Sequence, residues 1–338
     1  MRAQITISKQ NLLYNYSQIK KLSSKEVIAV VKSNAYGLGI LEVASILFAS
    51  GVTFFAVATL EEAIYLRKNN IGGTILLLER TNEYALAYSY QITISIVSLS
   101  QLEDIKKSPV PVVAHLKIDT GMNRLGLSKD DINVIKNYSL TNLKIKGVYS
   151  HIACESSFME QEKVFHEICS MIPNTNNIVI HLCSSSYLHK SPSYTTHVRV
   201  GISLYGISYI KSLILKEVLS LQVPIVRRKS VKINEKVGYD LEGVIKEDGY
   251  LYTVSLGYAD GWSKDRLTIA YKDTYLMQVG KTCMDYMMFF SKNKYEAGEY
   301  IEIISPSLPC QKMASIYSST PYELLAALSY RIKRKIIT

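Results

Sequence analysis

The chain has 338 residues, of which 48% are hydrophobic and 20% charged, proportions typical of a globular protein. The formal net charge is +10, but the basic residues are spread along the chain without a recognised binding motif, so nucleic-acid binding is not expected. Five scattered cysteines without a CxxC pair, and no apolar segment of signal-peptide or membrane-span type, predict a cytoplasmic protein without disulfides, metal or membrane contact.

Short apolar segments rich in β-branched residues recur through the first two thirds of the chain, and stretches with helical periodicity separate them. In chain order these segments read EVIAVVK, TFFAVAT, TILLLER, ITISIVS, VVAHLKID, IKGVYSHI, NIVIHLCS and HVRVGISLYG. Alternating strands and helices are typical of parallel β-α units. Eight such units predict an α/β fold, a (β/α)8 TIM barrel over residues 1–210.

The pattern changes after about Ile210. Strand-like segments then follow one another with turns and little helix, which predicts a mainly β C-terminal domain over residues 211–338. Only TPYELLAALSYRIKR near the C-terminus has a helical pattern, with Thr320 as its cap and Pro321 at its first helical position.

Reactive residues stand at the ends of several predicted barrel strands, where barrels carry their chemistry. Lys32 ends the first strand, Arg124 follows the fifth, and His151 ends the sixth. Small residues follow the seventh and eighth strands, in CSSS and RVG, where barrels often bind a phosphate. A lysine facing a phosphate site suggests a Schiff base to pyridoxal phosphate, and the glycines after Lys32 would let Tyr36 approach that cofactor.

Six motifs in order closely resemble those of the alanine racemase family: VVKSNAYGLG, KIDTGMNRLG, RVGISLYG, GYADGW, GKTCMD and SYRIKR. The resemblance covers nearly the whole chain. It implies a pyridoxal-phosphate-dependent racemase that interconverts L- and D-alanine and, in bacteria, supplies D-alanine for the cell-wall peptidoglycan. It also implies a head-to-tail homodimer, because the family's catalytic tyrosine reaches the site from the other subunit.

The resemblance assigns roles to residues at matching positions. Lys32 would bind the cofactor and act as one base, and Tyr258 would act as the second base on the opposite face of the α-carbon. The other implied cofactor contacts are Tyr36, His151, Ser185, Arg199, Gly201, Ile202 and Tyr330. Tyr36 and Tyr330 would donate to the phosphate.

The remaining implied roles concern the pyridine ring and the substrate. Arg199 would face the pyridine nitrogen, where an arginine cannot accept a proton and disfavours the pyridinium form, while His151 would link Arg199 to Tyr258. Arg124 and the backbone N–H of Met284 would hold the substrate carboxylate, with Asp285 in support. Lys117 matches a lysine that is carbamylated in many relatives, and the sequence leaves its modification open.

Four residues depart from the usual family pattern: Leu38, Ser184, Lys281 and Tyr286. They leave the substrate preference open, so a racemase of serine or of several small amino acids is the main alternative. A decarboxylase of the same two-domain plan agrees less well with GYADGW and CMD. A non-catalytic pyridoxal phosphate carrier would lack the predicted β-domain.

Overall fold

The computed structural model describes residues 2–136, 141–172, 178–263 and 268–338. After a first strand, β1 (Gln4–Ser8), eight parallel strands form one sheet: β2 (Glu26–Val30), β3 (Phe54–Val57), β4 (Thr74–Leu77), β5 (Ile94–Ile96), β6 (Val112–Lys117), β7 (Leu143–Tyr149), β8 (Val179–Ser184) and β9 (His197–Val200). Their order is β4-β3-β2-β9-β8-β7-β6-β5, and a parallel bridge between Leu76 and Thr93 closes the ring. The predicted barrel and its eight strands are confirmed.

The helix α1 (Lys9–Ser23) leads from β1 into the barrel. The barrel strands are connected by the short turn α2 (Lys32–Tyr36) and by α3 (Ile40–Ala49), α4 (Leu60–Lys68), α5 (Tyr84–Ser89), α6 (Leu99–Lys106), α7 (Lys129–Lys136) and α8 (Phe158–Met171). Side chains cap several of them, as at α4, where Thr59 and Glu62 form a capping box. The strands are apolar on both faces because side chains fill the barrel on one side and helices cover the other.

A second sheet of eight strands is mainly antiparallel. It contains β1 together with β10 (Leu219–Val231), β13 (Gly249–Val254), β14 (Ile269–Tyr271), β15 (Tyr275–Gln278), β16 (Met287–Ser291), β17 (Tyr300–Ile304) and β18 (Lys333–Ile337). A small hairpin of β11 (Lys236–Val237) and β12 (Gly243–Val244) lies apart from it, and α9 (Cys310–Ile316) and α10 (Pro321–Ala326) precede β18. The predicted β character of this part of the chain is confirmed.

Both chain ends differ from the prediction. The strand β1, assigned to the barrel by the division at residue 210, pairs instead with β10 and β18 of the second sheet. The predicted C-terminal helix begins at Pro321 with Thr320 as its cap but ends at Ala326. The last residues form β18 because the free edge of β1 offers backbone groups that need hydrogen-bond partners.

The helices in the part of the chain that the structure describes include none with the length and hydropathy of a membrane span.

Candidate active site

A pocket of about 650 Å³ opens where the barrel strands end. Its lining comes from the segments that follow β2, β3 and β4 and from the carboxyl ends of β6 to β9. It gathers nine of the residues selected from the sequence: Lys32, Tyr36, Lys117, Arg124, His151, Ser185, Arg199, Gly201 and Ile202. The mouth of the barrel is therefore the candidate active site.

Lys32 begins a turn of unusual backbone conformation. Ser33, Asn34, Ala35 and Tyr36 all have φ between 52° and 54°, the left-handed region that non-glycine residues rarely occupy. Burial, and then the charge of Arg124, lowers the pKa of the Lys32 amine. A lowered pKa increases the fraction of uncharged amine, which is the nucleophilic form.

Tyr36 and Gly201 meet on one wall of the pocket. A Cβ atom placed on Gly201 would lie 2.3 Å from the Tyr36 hydroxyl oxygen, so only glycine leaves room for this approach. Burial raises the pKa of Tyr36 to about 12, which keeps its hydroxyl protonated and able to donate. Ser185 and Ile202 are buried, line the same pocket, and each begin a short 3₁₀ turn.

Arg199 is buried and uses its terminal nitrogens within the protein. Its Nη1 donates to the carbonyl and Nδ1 of His181, both at 2.9 Å. Its Nη2 donates to the Ser150 and Leu182 carbonyls at 2.5 and 3.2 Å and to His151 Nδ1 at 3.1 Å. Among the described residues, no carboxylate pairs with Arg199 and no acceptor meets its Nε–H. That proton remains available to a ligand.

Three histidines extend from Arg199 as neutral imidazoles. His151 and His181 both accept at Nδ1, because a guanidinium can only donate, so each carries its proton on Nε2. His181 Nε2 lies 2.9 Å from Nδ1 of His115. Burial, with Arg199 as a further cause, lowers the pKa of His151 to about 3 and that of His181 well below its usual value. His151 thus presents an Nε2–H that can donate.

Lys117 is buried at the end of β6, with its Nζ 5.4 Å from the centre of the Tyr149 ring. Burial, and then the charge of Arg199, lowers the pKa of Lys117 to about 8. An appreciable fraction of this amine is therefore uncharged near neutral pH. Arg124 lies exposed at the rim, in the loop that Asp119 stabilises by accepting from the Gly121 and Asn123 amides.

A second group of predicted residues lies on the β-domain. The Tyr258 amide donates to the Cys283 carbonyl at 3.1 Å, and the next amide donates to the Met284 carbonyl at 3.0 Å, so these loops are adjacent. The side chains of Tyr258 and Met284 are 38% and 53% exposed, and Asp285 forms an ion pair with Arg331 at 2.6 Å. Tyr258 lines a different groove from Lys32, so one chain does not bring the two predicted bases together.

Tyr330 is also outside the barrel pocket. Its side chain is 89% exposed and borders a separate depression beside Asn34 and Glu42. Tyr322 of α10 lines the pocket instead, with its ring centre 6.1 Å from that of Tyr36. The contact of Tyr330 with the cofactor phosphate therefore remains a prediction, because in the structure of one chain this residue lies outside the barrel pocket.

Sequence reasoning missed several lining residues, including Glu79, Tyr149, Tyr187 and Tyr322. Glu79 follows TILLL, and Tyr149 ends IKGVY, so their positions at strand ends could have identified them. Of the four departures from the family pattern, Leu38 is fully buried and Ser184 lines the pocket. Lys281 is ion-paired with Asp240 and Glu242, and Tyr286 is exposed.

Comparisons with known proteins extend along nearly the whole chain. The family descriptions "Alanine racemase, N-terminal domain" and "Alanine racemase, C-terminal domain" match residues 7–209 and 218–336. An amino-acid racemase of Enterococcus faecalis is 33% identical over 98% of this chain, which spans only 51% of that relative. An alanine racemase of Aquifex aeolicus (strain VF5) is 31% identical over 99% of both chains.

A solved structure is similar over the full length of both chains. It is the crystal structure of alanine racemase from Bartonella henselae with covalently bound pyridoxal phosphate, which is 29% identical and superposes with a TM-score of 0.88. The coverage is 100% for each chain, so the similarity includes both the barrel and the β-domain.

Proposed function

The chain belongs to the alanine racemase family, and we propose that it interconverts L-alanine and D-alanine with pyridoxal phosphate as its cofactor. The observation that supports this most directly is the pocket at the barrel mouth, which combines an amine of lowered pKa with a buried arginine. Relatives named alanine racemase, similar along nearly the whole chain, support the same substrate.

The residues of the pocket fit pyridoxal phosphate. The Lys32 amine could bond covalently to the cofactor aldehyde. The hydroxyls of Tyr36 and Ser185 and the backbone N–H groups at Gly201 and Ile202 are donors of the kind that holds a phosphate. The space that Gly201 leaves for the Tyr36 hydroxyl is consistent with a donor cradle on that wall.

Arg199 would hold the other end of the cofactor through its Nε–H. Because an arginine donates and cannot accept, it would leave the pyridine nitrogen unprotonated. When bound, the cofactor withdraws electrons from the α-carbon of the amino acid and so acidifies its proton. An arginine partner weakens this electron withdrawal, so removal of the α-proton depends more strongly on the acid and base groups of the protein.

Two bases on opposite faces of the α-carbon would complete the racemisation, Lys32 Nζ on one face and Tyr258 Oη on the other. Since Tyr258 lies outside the pocket of its own chain, we propose a head-to-tail homodimer in which the β-domain of one subunit faces the barrel of the other. His151, through its Nε2–H, would then link Tyr258 to Arg199.

The substrate carboxylate would be held by residues from both halves of the site. Arg124 lies at the rim of the barrel pocket, and the exposed loop with Met284 and Asp285 is adjacent to Tyr258. We propose that Arg124 and the Met284 backbone N–H bind the carboxylate and that Asp285 supports the loop. We further propose that the enzyme works in the cytosol and supplies D-alanine for peptidoglycan.

Lys117 is expected to carry a carbamate, because carbamylation needs an uncharged amine and burial lowers the pKa of Lys117 to about 8. The new anion would lie near Arg199 and Arg124, whose charges contribute to that lowering. With ¹³C-labelled bicarbonate, the protein should give a carbamate signal by NMR that grows as the pH rises towards 8, where the uncharged form increases. The Lys117→Arg variant should lack that signal. An equal signal in both proteins would contradict the assignment.

The proposed function is tested by proton exchange at the α-carbon in D₂O. The purified protein with pyridoxal phosphate is given L-alanine or L-serine in separate samples, and NMR and optical rotation follow exchange and racemisation. Exchange with racemisation, faster on alanine, is the expected result. Faster reaction of serine would assign the alternative substrate, and no exchange on either amino acid would contradict the proposal.

A further inference from the structure

The turn that carries Lys32 needs external support. A left-handed conformation costs a non-glycine residue about 1–2 kcal/mol, and α2 has four such residues in succession, Ser33 to Tyr36. Strain of this kind persists only where the surrounding structure holds it. The position of the Lys32 amine therefore depends on the groups that hold this turn.

The N-terminal half of the turn is held by a carboxylate. Glu62 Oε1 accepts from the Asn34 amide at 3.0 Å, and its Oε2 accepts from the Ala58 amide at 3.0 Å. The Asn34 side chain in turn accepts from the Ile40 amide at 2.8 Å, across the turn. These bonds tie α2 to the end of β3 and to the start of α3.

The C-terminal half is held by Arg334, from the far end of the chain. Its Nε and Nη2 donate to the Gly37 carbonyl at 3.3 and 2.8 Å. The same guanidinium donates to the carbonyls of Leu328, Ser329 and Ile332, at 3.2, 2.8 and 2.6 Å. One side chain thus connects the end of the lysine turn to the segment that follows α10.

The helix before that segment, α10, belongs to the wall of the pocket. A Cβ atom on Gly37 would lie 2.0 Å from the Leu325 carbonyl oxygen, so α10 lies directly against the turn. The same helix contributes Tyr322 and Ala326 to the pocket lining. Loss of the Arg334 bonds would uncouple the turn from the segment that directly follows this helix.

We propose that Arg334 is a positioning residue for the cofactor lysine: by holding the Gly37 carbonyl and the segment after α10, it maintains the left-handed turn that presents Lys32 and Tyr36 to the pocket. This inference rests on the proposed function, because it concerns the binding of pyridoxal phosphate at Lys32. Arg334 touches neither the pocket nor the reacting atoms.

A second arginine provides a matched control for a purely structural role. Arg67 also donates to four backbone carbonyls, those of Ile71, Gly73, Tyr90 and Gln91, at 2.8 to 3.0 Å. Burial lowers the pKa of both arginines. The carbonyls that Arg67 holds precede β4 and β5, at the end of the barrel opposite the pocket.

The experiment compares Arg334→Met, Arg334→Lys and Arg67→Met with the unchanged full-length chain. For each protein, the affinity for pyridoxal phosphate is measured by absorbance titration, the thermal midpoint is measured without the cofactor, and alanine racemisation is measured with it. Arg334→Met should bind the cofactor at least about tenfold more weakly, since two hydrogen bonds to the turn are lost. Arg334→Lys should restore part of that affinity, and Arg67→Met should lower the thermal midpoint but change the affinity less than about twofold.

Unchanged cofactor affinity in Arg334→Met, or an equal loss of affinity in Arg67→Met, would overturn the inference. If Arg334→Met does not fold, the affinity of Arg334→Lys decides, and a value equal to that of the unchanged chain overturns the inference. The unchanged chain distinguishes the proposed function from the proposed role of Arg334. If the unchanged chain racemises alanine, the proposed function is supported, whatever the results for the variants.

Discussion

Lys32→Ala is expected to abolish racemisation, with a loss in kcat of at least about 10⁴-fold. The change removes both the amine that would bond to pyridoxal phosphate and one of the two bases. Lys117, the other lysine that the described residues contribute to the pocket lining, is buried at the end of β6. The measurement is alanine racemisation by optical rotation, with borohydride reduction and mass spectrometry to locate the covalently bound cofactor.

The control for this prediction is Lys20→Ala. Lys20 is an exposed residue of α1 that forms an ion pair with Glu26. Glu26 is the first residue of β2, whereas Lys32 follows the other end of that strand. It should keep full activity, and reduction should fix the cofactor on Lys32 in both the unchanged chain and this variant. Racemisation by Lys32→Ala within about tenfold of the unchanged rate would show that a different group performs the chemistry.

Tyr258→Phe is expected to keep the bound cofactor but to lower racemisation by about 10²- to 10⁴-fold, the usual contribution of one general base. The two enantiomers should respond differently when α-proton exchange is followed in D₂O. Exchange should persist for the enantiomer whose proton faces Lys32 and disappear for the other, because only the base on one face has been removed. Parallel samples of L-alanine and D-alanine, followed by NMR, measure this difference.

Tyr275→Phe is a suitable control, because Tyr275 is also an exposed tyrosine of the β-domain and its hydroxyl bonds to Lys312 at 2.8 Å. It should retain normal rates with both enantiomers. If Tyr258→Phe also retained near-normal exchange from both enantiomers, Tyr258 would not be the second base.

The barrel could be predicted from the sequence because its strands are covered on both faces. Such strands read as short continuous apolar runs, and the residue types that end them are conspicuous, as Lys32 is after EVIAVV. Lys32, His151 and Arg199 could be assigned to one pocket because the carboxyl ends of parallel strands meet at one end of a barrel.

The parts that could not be predicted depend on contacts between distant residues. The pairing of β1 with β18 joins the two ends of the chain, and no local pattern specifies it. Tyr322 lines the pocket in place of Tyr330 because α10 ends at Ala326, before the SYRIKR motif. The bonds from Arg334 to Gly37 span 297 positions, and in the sequence Arg334 reads only as part of a basic run.

The central claim, that one site is completed by two subunits, is tested most directly by mixing the two inactive variants. Lys32→Ala and Tyr258→Phe chains are combined, allowed to exchange subunits, and assayed for alanine racemisation, while native mass spectrometry measures the mixed dimers. Each mixed dimer has one site with both changes and one with neither, so activity should recover to about a quarter of that of the unchanged enzyme. Mixed dimers without recovered activity would place Lys32 and Tyr258 in the same subunit's site and contradict the account.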